Sequence, residues 1–232
     1  FNGIHEGLVQ SWKDIFPKKG EIHFAGALEN NEDTGTLQYL ASTAMEAGFS
    51  TRVLDMQALD LQNGRFFDPA GELVNRCFKL YPWEWMVDES PDGCLAEMEW
   101  LEPIWKLVMS NKAILATLYE LFPDSPYVLP CYLSRPRSGL FCKKPVFSRE
   151  GHNVSVVDIR DWEEYVRIAE TEGDYNTGAY VYQEYVEPTA YSGRYPVIGS
   201  WIIGGEAAGI GIRENRMEVT DNLSEFVPHI IG

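Results

Sequence analysis

The chain has 232 residues, of which 45% are hydrophobic, enough for one large core or two smaller ones and incompatible with a disordered or fibrous protein. Lys and Arg total 19 against 35 Asp and Glu, so the formal charge is −16, which opposes a polyanion over most of the surface and excludes general nucleic-acid binding. No stretch approaches the roughly 18 to 20 uninterrupted apolar residues of a membrane helix, so no membrane partner is expected.

The sequence opens at Phe1 with a helical pattern (Ile4, Leu8, Trp12, Ile15) already under way, which predicts a piece of a longer chain. No basic segment followed by an apolar one marks export, so the cytoplasm is the expected compartment. Cys77, Cys94, Cys131 and Cys142 have no C-x-x-C spacing and are expected to be reduced core thiols.

Residues 21–27 predict a buried strand. The polar turn Glu29-Asn30-Asn31-Glu32-Asp33 leads into a helix with Leu37, Leu40, Ala41, Ala44 and Met45 on one face, stopped at Gly48. Thr51–Leu54 then gives a parallel neighbour strand, so residues 21–55 read as a β-α-β unit. A hairpin is predicted over 66–74 around Asp68-Pro69-Ala70-Gly71. The aromatic run Phe78–Met86, with Trp83 and Trp85, is expected to anchor a core rather than wall a pocket. Helical patterns follow at 98–109 and 112–122. Beyond Tyr127 the texture turns to strands, apart from a helix predicted over 161–172 by the capping pair Asp161 and Glu164 and the stop Gly173. The predicted regions are 1–95 and 96–232.

Five of the 19 basic side chains, Arg135, Arg137, Lys143, Lys144 and Arg149, fall within 15 residues that hold no acidic one, which predicts a local anion site. The strand at 140–146 alternates faces, so only one of Lys143 and Lys144 points into a given cleft. The loop Phe147–Asn153 is short, polar and contains Gly151. It suits either backbone N–H donation to phosphate oxygens or a plain hairpin turn on a basic patch. Tyr180–Glu187 is an apolar strand that turns polar before Pro188, an end able to offer backbone groups to a purine and a carboxylate to a ribose. Ser200–Arg213 reads as a hairpin turning at Gly204-Gly205. Its Gly209-x-Gly211 lies within a strand and is no dinucleotide fingerprint. His5, His23, His152 and His229 lack metal-site spacing, and no metal ligands are assigned. Glu29, Glu32 and Asp33 form either a solvated loop or a site for a cationic amine.

The ordered set Lys79–Trp85, Ser110-Asn111-Lys112, Lys143-Lys144-Pro145, Ser148–Gly151, Tyr182–Tyr185, Pro196–Trp201 and Gly209–Arg213 resembles the C-terminal part of the glutathionylspermidine synthase family of ATP-grasp ligases. The resemblance runs over essentially the whole chain. It implies an α/β (α+β) fold with ATP-grasp-like lobes after a small β-α-β pre-ATP-grasp unit. It also implies an ATP-dependent carboxylate–amine ligase acting through an acyl phosphate, with a glutathione-like acid and a polyamine-like amine as substrates. By the same resemblance Lys112 and Lys144 hold the ATP phosphates, and Arg149, with Gly151, belongs to a loop closing over the γ-phosphate. Gln183, Glu184, Val186 and Glu187 serve adenine and ribose, and Arg213 is a second cation for phosphate. Glu32, Asp33 and Asp221 are candidates for the acceptor amine. The family's Mg²⁺ ligands lie upstream of the matching segment, so this chain is expected to be an incomplete, inactive portion. The alternatives are a ligase for another acid and amine, or a non-catalytic nucleotide-binding homologue.

Overall fold

The computed structural model describes residues 2–161, 164–175, 178–219 and 224–230. The chain divides into two compact units, one of residues 1–107 with 200–209 and the other of residues 108–199 with 210–232.

The first unit contains α1 (Ile4–Ile15), β1 (Glu21–Gly26), α2 (Asn31–Glu46), β2 (Ser50–Asp55), β3 (Asp60–Gln62), β4 (Arg65–Phe67), β5 (Leu73–Val74), β6 (Arg76–Leu80), α3 (Trp83–Glu89), α4 (Pro91–Cys94) and β7 (Glu99–Leu101). Its main sheet is parallel in the order β2-β1-β6-β7. A central parallel strand is covered on both faces, which is why β1 is a nearly continuous buried run. Ile22 and Phe24 point into one core with Trp12, Leu37, Ala41 and Ala44. Ala25 points into a second core with Phe66, Val74, Cys77, Trp83 and Met86. The expected β-α-β unit is therefore present. The Asn30 side chain caps α2 by accepting from Glu32 N at 2.8 Å, and Gly48, at φ 94°, takes the left-handed conformation that ends it.

The 66–74 hairpin is likewise found, with Asp68 Oδ1 accepting from Ala70 N and Glu72 N, each at 2.9 Å. Trp83 and Met86 anchor the second core as expected, whereas Trp85 is 39% exposed and meets Tyr81 edge-on. The helix predicted over 98–109 is a correction. Glu99–Leu101 is a strand paired in parallel with β6, followed by a 3-10 turn at Ile104–Lys106 and the short α5 (Leu107–Ser110). Pro103 lacks the N–H and the conformational freedom that a continuous helix would need there, and the open edge of β6 takes Glu99–Leu101 as a strand.

The second unit holds α6 (Ala113–Leu121), β8 (Cys131–Tyr132), β9 (Gly139–Pro145), β10 (Ser155–Ile159), β11 (Tyr165–Glu170) and β12 (Tyr180–Glu184). The strands form an antiparallel sheet in the order β11-β10-β9-β12-β8. β13 (Tyr195–Ile203), β14 (Glu206–Asn215) and β15 (Glu225–Val227) make a further sheet. The hairpin tip at 200–209 belongs to the first unit, where Gly3 N donates to Ala208 O at 2.8 Å. The helix predicted over 161–172 is a second correction, because Tyr165–Glu170 is a strand against β10. The Asp161 side chain does accept from Glu164 N at 2.8 Å, but Arg160 N and Asp161 N donate to Glu164 O, which closes a hairpin instead of opening a helix. Tyr165, Val166 and Ile168 favour an extended chain, and β10 supplies the partner. All four cysteines are free thiols, with Cys77 and Cys131 buried. Among the described residues no helix is long and apolar enough to cross a membrane.

His23 is 1% exposed, with Glu21, Asp68 and Arg52 facing it. Burial lowers its pKa against the opposing pull of Glu21 and Asp68. The unfolded chain therefore takes up a proton below about pH 6.5 that the folded chain resists, so stability is full above that pH and falls as pH drops through the folded value. Denaturation midpoints at pH 7.5 and 5.5 should differ more for the native protein than for His23→Leu. Equal differences would rule the effect out.

Candidate functional site

β9 and β12 are neighbours in the five-stranded sheet, with Val181 opposite Lys144 and Gln183 opposite Cys142. Side-chain alternation puts Cys142, Lys144, Val181 and Gln183 on one face and Lys143 on the other. The Lys143 ammonium lies 3.9 Å from the Tyr180 ring centroid, whereas Lys144 lines a cleft of about 420 Å³.

Lys112, just before α6, enters the same cleft. Its N donates to Val146 O at 2.8 Å and its ammonium to Ser148 O. The Lys144 ammonium donates to Gln183 Oε1 at 2.7 Å. Arg149 and Gly151 come from the loop between β9 and β10, and Gln183, Glu184 and Val186 from the end of β12. Leu129, Val154 and Val156 supply apolar wall. Three cations from separate parts of the chain thus share one partly apolar cleft, where fields act more strongly than in water. The loop turns through left-handed backbone at Glu150, Gly151 and Asn153, the kind of path that aims successive N–H groups into a concavity.

Some contacts in the lining were not assigned from the sequence. Ser148, within the expected phosphate loop, offers its carbonyl to Lys112, and the Tyr185 hydroxyl donates to Oε2 of Glu218, a residue no motif marked, at 2.7 Å. Burial, reinforced by that bond, pushes the Tyr185 phenol up to about 12, so it stays a donor at neutral pH. Burial also raises the Cys142 thiol despite Lys144 nearby, which keeps it protonated. Only the alternation of β9, which places Cys142 and Lys144 on the same side, marked Cys142 for the cleft. A neighbouring cleft of about 590 Å³ shares Glu150, Gly151, Glu218 and Val219, and adds His152, Glu170, Glu172 and Arg216.

The remaining candidates lie elsewhere. Glu187 is exposed beyond β12 and is not among the cleft-lining residues. Arg213 sits on β14 with its guanidinium 5.6 Å from the Phe226 ring centroid, also outside the lining. Glu32 and Asp33 occupy the first turn of α2 in the first unit, and Asp221 lies outside the described residues. Among the described residues no three His, Cys, Asp or Glu side chains gather to hold a metal ion.

The loop rests on the segment after β11. The Asn153 amide donates to Gly173 O and accepts from Tyr175 N, each at 2.8 Å. A Cβ on Gly173 would fall 2.5 Å from His152 Cβ, closer than side chains approach one another. Gly173→Ala should cost about 1–3 kcal/mol of stability through overpacking and displace the loop. Thermal melting and nucleotide titration of the variant check this, and wild-type behaviour in both would refute the contact.

The fold is a mixed α/β one of the ATP-grasp class. It superposes with a TM-score of 0.62 on a crystal structure assigned as γ-glutamylcysteine synthetase from Methylobacillus flagellatus KT, covering 99% of this chain and 75% of that one at 10% identity. The pattern described as Glutathionylspermidine synthase preATP-grasp matches residues 1–232, and the chain belongs to that family. It is 34% identical to a protein of Haemophilus influenzae assigned as an acid–amine ligase, over 99% of this chain and 61% of that protein. It is 28% identical to trypanothione synthetase of Crithidia fasciculata, over 89% of this chain and 35% of that protein. Identity to the bifunctional glutathionylspermidine synthetase/amidase of Escherichia coli is 26%, over 99% of this chain and 42% of that enzyme. The chain therefore spans between about a third and three fifths of these relatives.

Proposed function

We propose that this chain supplies the nucleotide-binding part of an ATP-dependent carboxylate–amine ligase of the glutathionylspermidine synthase type. The observation that carries the reading is the meeting of Lys112, Lys144 and Arg149 in one cleft with apolar walls. A triphosphate leaving water needs several fixed cations and N–H donors to offset its desolvation. In this reading Lys112 and Lys144 bind the phosphates, and Arg149 with the loop at 148–153 covers the γ-phosphate and excludes water. Glu184–Val186, with Glu187 beyond, face purine and ribose in this reading.

The reaction proposed for the whole protein begins with attack of a carboxylate oxygen, from a glutathione-like acid, on the γ-phosphorus. The bond to ADP breaks and an acyl phosphate forms. A polyamine-like amine then attacks the acyl carbon, phosphate leaves with the bonding electron pair, and the amine loses a proton. Glu32, Asp33 and Asp221 are the proposed contacts for that amine, and Arg213 for phosphate. The neighbouring cleft, with Glu150, Glu170, Glu172 and Glu218 in its wall, also favours a cationic co-substrate. A Mg²⁺ ion bound with ATP would supply neutralisation of phosphate charge. Its ligands are proposed to lie outside this chain.

The expected result is nucleotide binding without turnover. Calorimetric titration with a non-hydrolysable ATP analogue, with and without Mg²⁺, tests the first part, and absence of binding by folded chain would sink the nucleotide assignment. Product formed above a no-enzyme control would overturn the second.

A further inference from the structure

We propose that Gln183 is a positioning residue whose side-chain amide holds the Lys144 ammonium for phosphate, rather than a reader of the base; this rests on the nucleotide reading of the cleft. Lys144 and Gln183 sit on adjacent antiparallel strands as diagonal neighbours on one face, because Cys142 pairs with Gln183 and Val181 with Lys144. The Lys144 ammonium donates to Gln183 Oε1 at 2.7 Å. Chemistry fixes the orientation of the amide: an ammonium has only donors, so the amide oxygen and not its NH₂ must face it.

The need for such a partner follows from the company Lys144 keeps. Lys112 and Arg149 repel it within the cleft, while Glu150, Glu184 and Glu218 in the same lining are competing acceptors that would draw it elsewhere. A long, flexible lysine would swing away from like charge unless an acceptor held it. Lys112 has the Ser148 carbonyl for this purpose, and Lys144 has the Gln183 amide. The Gln183 acceptor is neutral. A neutral dipole orients the ammonium and leaves its charge available to phosphate, whereas a carboxylate would form an ion pair that phosphate must break. The strand position of Gln183, one residue before the polar end of β12, suited it equally to purine contact on sequence grounds. The hydrogen bond is what favours the positioning role.

Variants at Gln183 and Lys144, with two readouts, test this. Gln183→Met keeps the side-chain volume without the amide, and Gln183→Glu adds charge. Gln183→Met should weaken binding of the ATP analogue about fivefold, the worth of one ordinary hydrogen bond, and leave adenosine binding unchanged. Gln183→Glu should weaken the analogue at least as much. The double variant Lys144→Ala with Gln183→Met should bind no more weakly than Lys144→Ala alone. Equal losses for adenosine and the analogue, or additive losses in the double variant, would overturn the positioning role.

The second readout needs no nucleotide and separates failure of this proposal from failure of the nucleotide reading. Trace acetylation of the folded chain with acetic anhydride, quantified by peptide mass spectrometry, should show Lys144 reacting several-fold faster in Gln183→Met, because its hydrogen bond to the amide is gone. Lys143, on the opposite face beside Tyr180, should not change. Unchanged Lys144 reactivity would overturn the proposal whether or not nucleotide binds.

Discussion

Lys144→Ala is expected to weaken binding of a non-hydrolysable ATP analogue by about tenfold or more, equivalent to about 1.4 kcal/mol or more. Hydrogen bonds to charged groups contribute about 1.5–3 kcal/mol each, and this ammonium lies in a cleft whose walls include Leu129, Val154 and Val156. The same substitution at Lys143 should change affinity little, because that side chain covers Tyr180 on the other face of the sheet. Titrations at several salt concentrations sharpen the test. Loss of a phosphate-binding cation should flatten the salt dependence, whereas general damage to the fold would leave the slope and lower the melting temperature. Equal effects at positions 143 and 144 would remove Lys144 from the site.

The parts of the fold legible in the sequence are those whose signals are local. The β-α-β unit at 21–55 could be read because Asn30 and Gly48 punctuate the helix through their own backbone chemistry, and because β1 is a continuous buried run. The hairpin at 66–74 could be read for a similar reason, since Asp68 makes its turn with its own neighbours. The segment after Asp161 misled because the same side-chain bond to Glu164 N serves a helix N-terminus and a hairpin closure equally well. What decides between them is the pairing with β10, a partner that local chemistry does not reveal. Glu99–Leu101 became a strand for the same reason, by completing a sheet with residues more than twenty positions earlier.

The candidate site divides in the same way. Strand alternation required that only one of Lys143 and Lys144 enter a cleft, and the fold brings Lys144 to Lys112 and Arg149. The contacts that steady the site were less legible. Ser148 holds Lys112 through its carbonyl, which every residue has, Gln183 was read for the base and not for Lys144, and Glu218 meets the Tyr185 hydroxyl from 33 positions away. Arg213 entered as a phosphate cation through the family resemblance alone, and no pattern in its own strand placed it; its guanidinium lies 5.6 Å from the Phe226 ring centroid, outside the cleft lining.

Phe24→Ala should be among the most destabilising single changes in the first unit, lowering the unfolding free energy by about 3–5 kcal/mol. Phe24 is fully buried, with Trp12 edge-on at 5.5 Å and Phe78 at 5.7 Å between ring centroids. Truncation removes both contacts and leaves a cavity between the sheet and the helices α1 and α2. That cavity resists collapse because the Trp12 indole donates to Thr43 Oγ1 at 2.9 Å, tying α1 to α2 on one side, while β1 is held in the sheet by β2 and β6 on the other. The cost should therefore fall toward the upper part of the range. Ile198→Ala, at a position 63% exposed on β13, provides a control expected to stay within about 0.5 kcal/mol. Urea unfolding followed by tryptophan fluorescence and circular dichroism measures both. A loss below about 1 kcal/mol for Phe24→Ala would mean that the aromatic cluster is not the centre of this core.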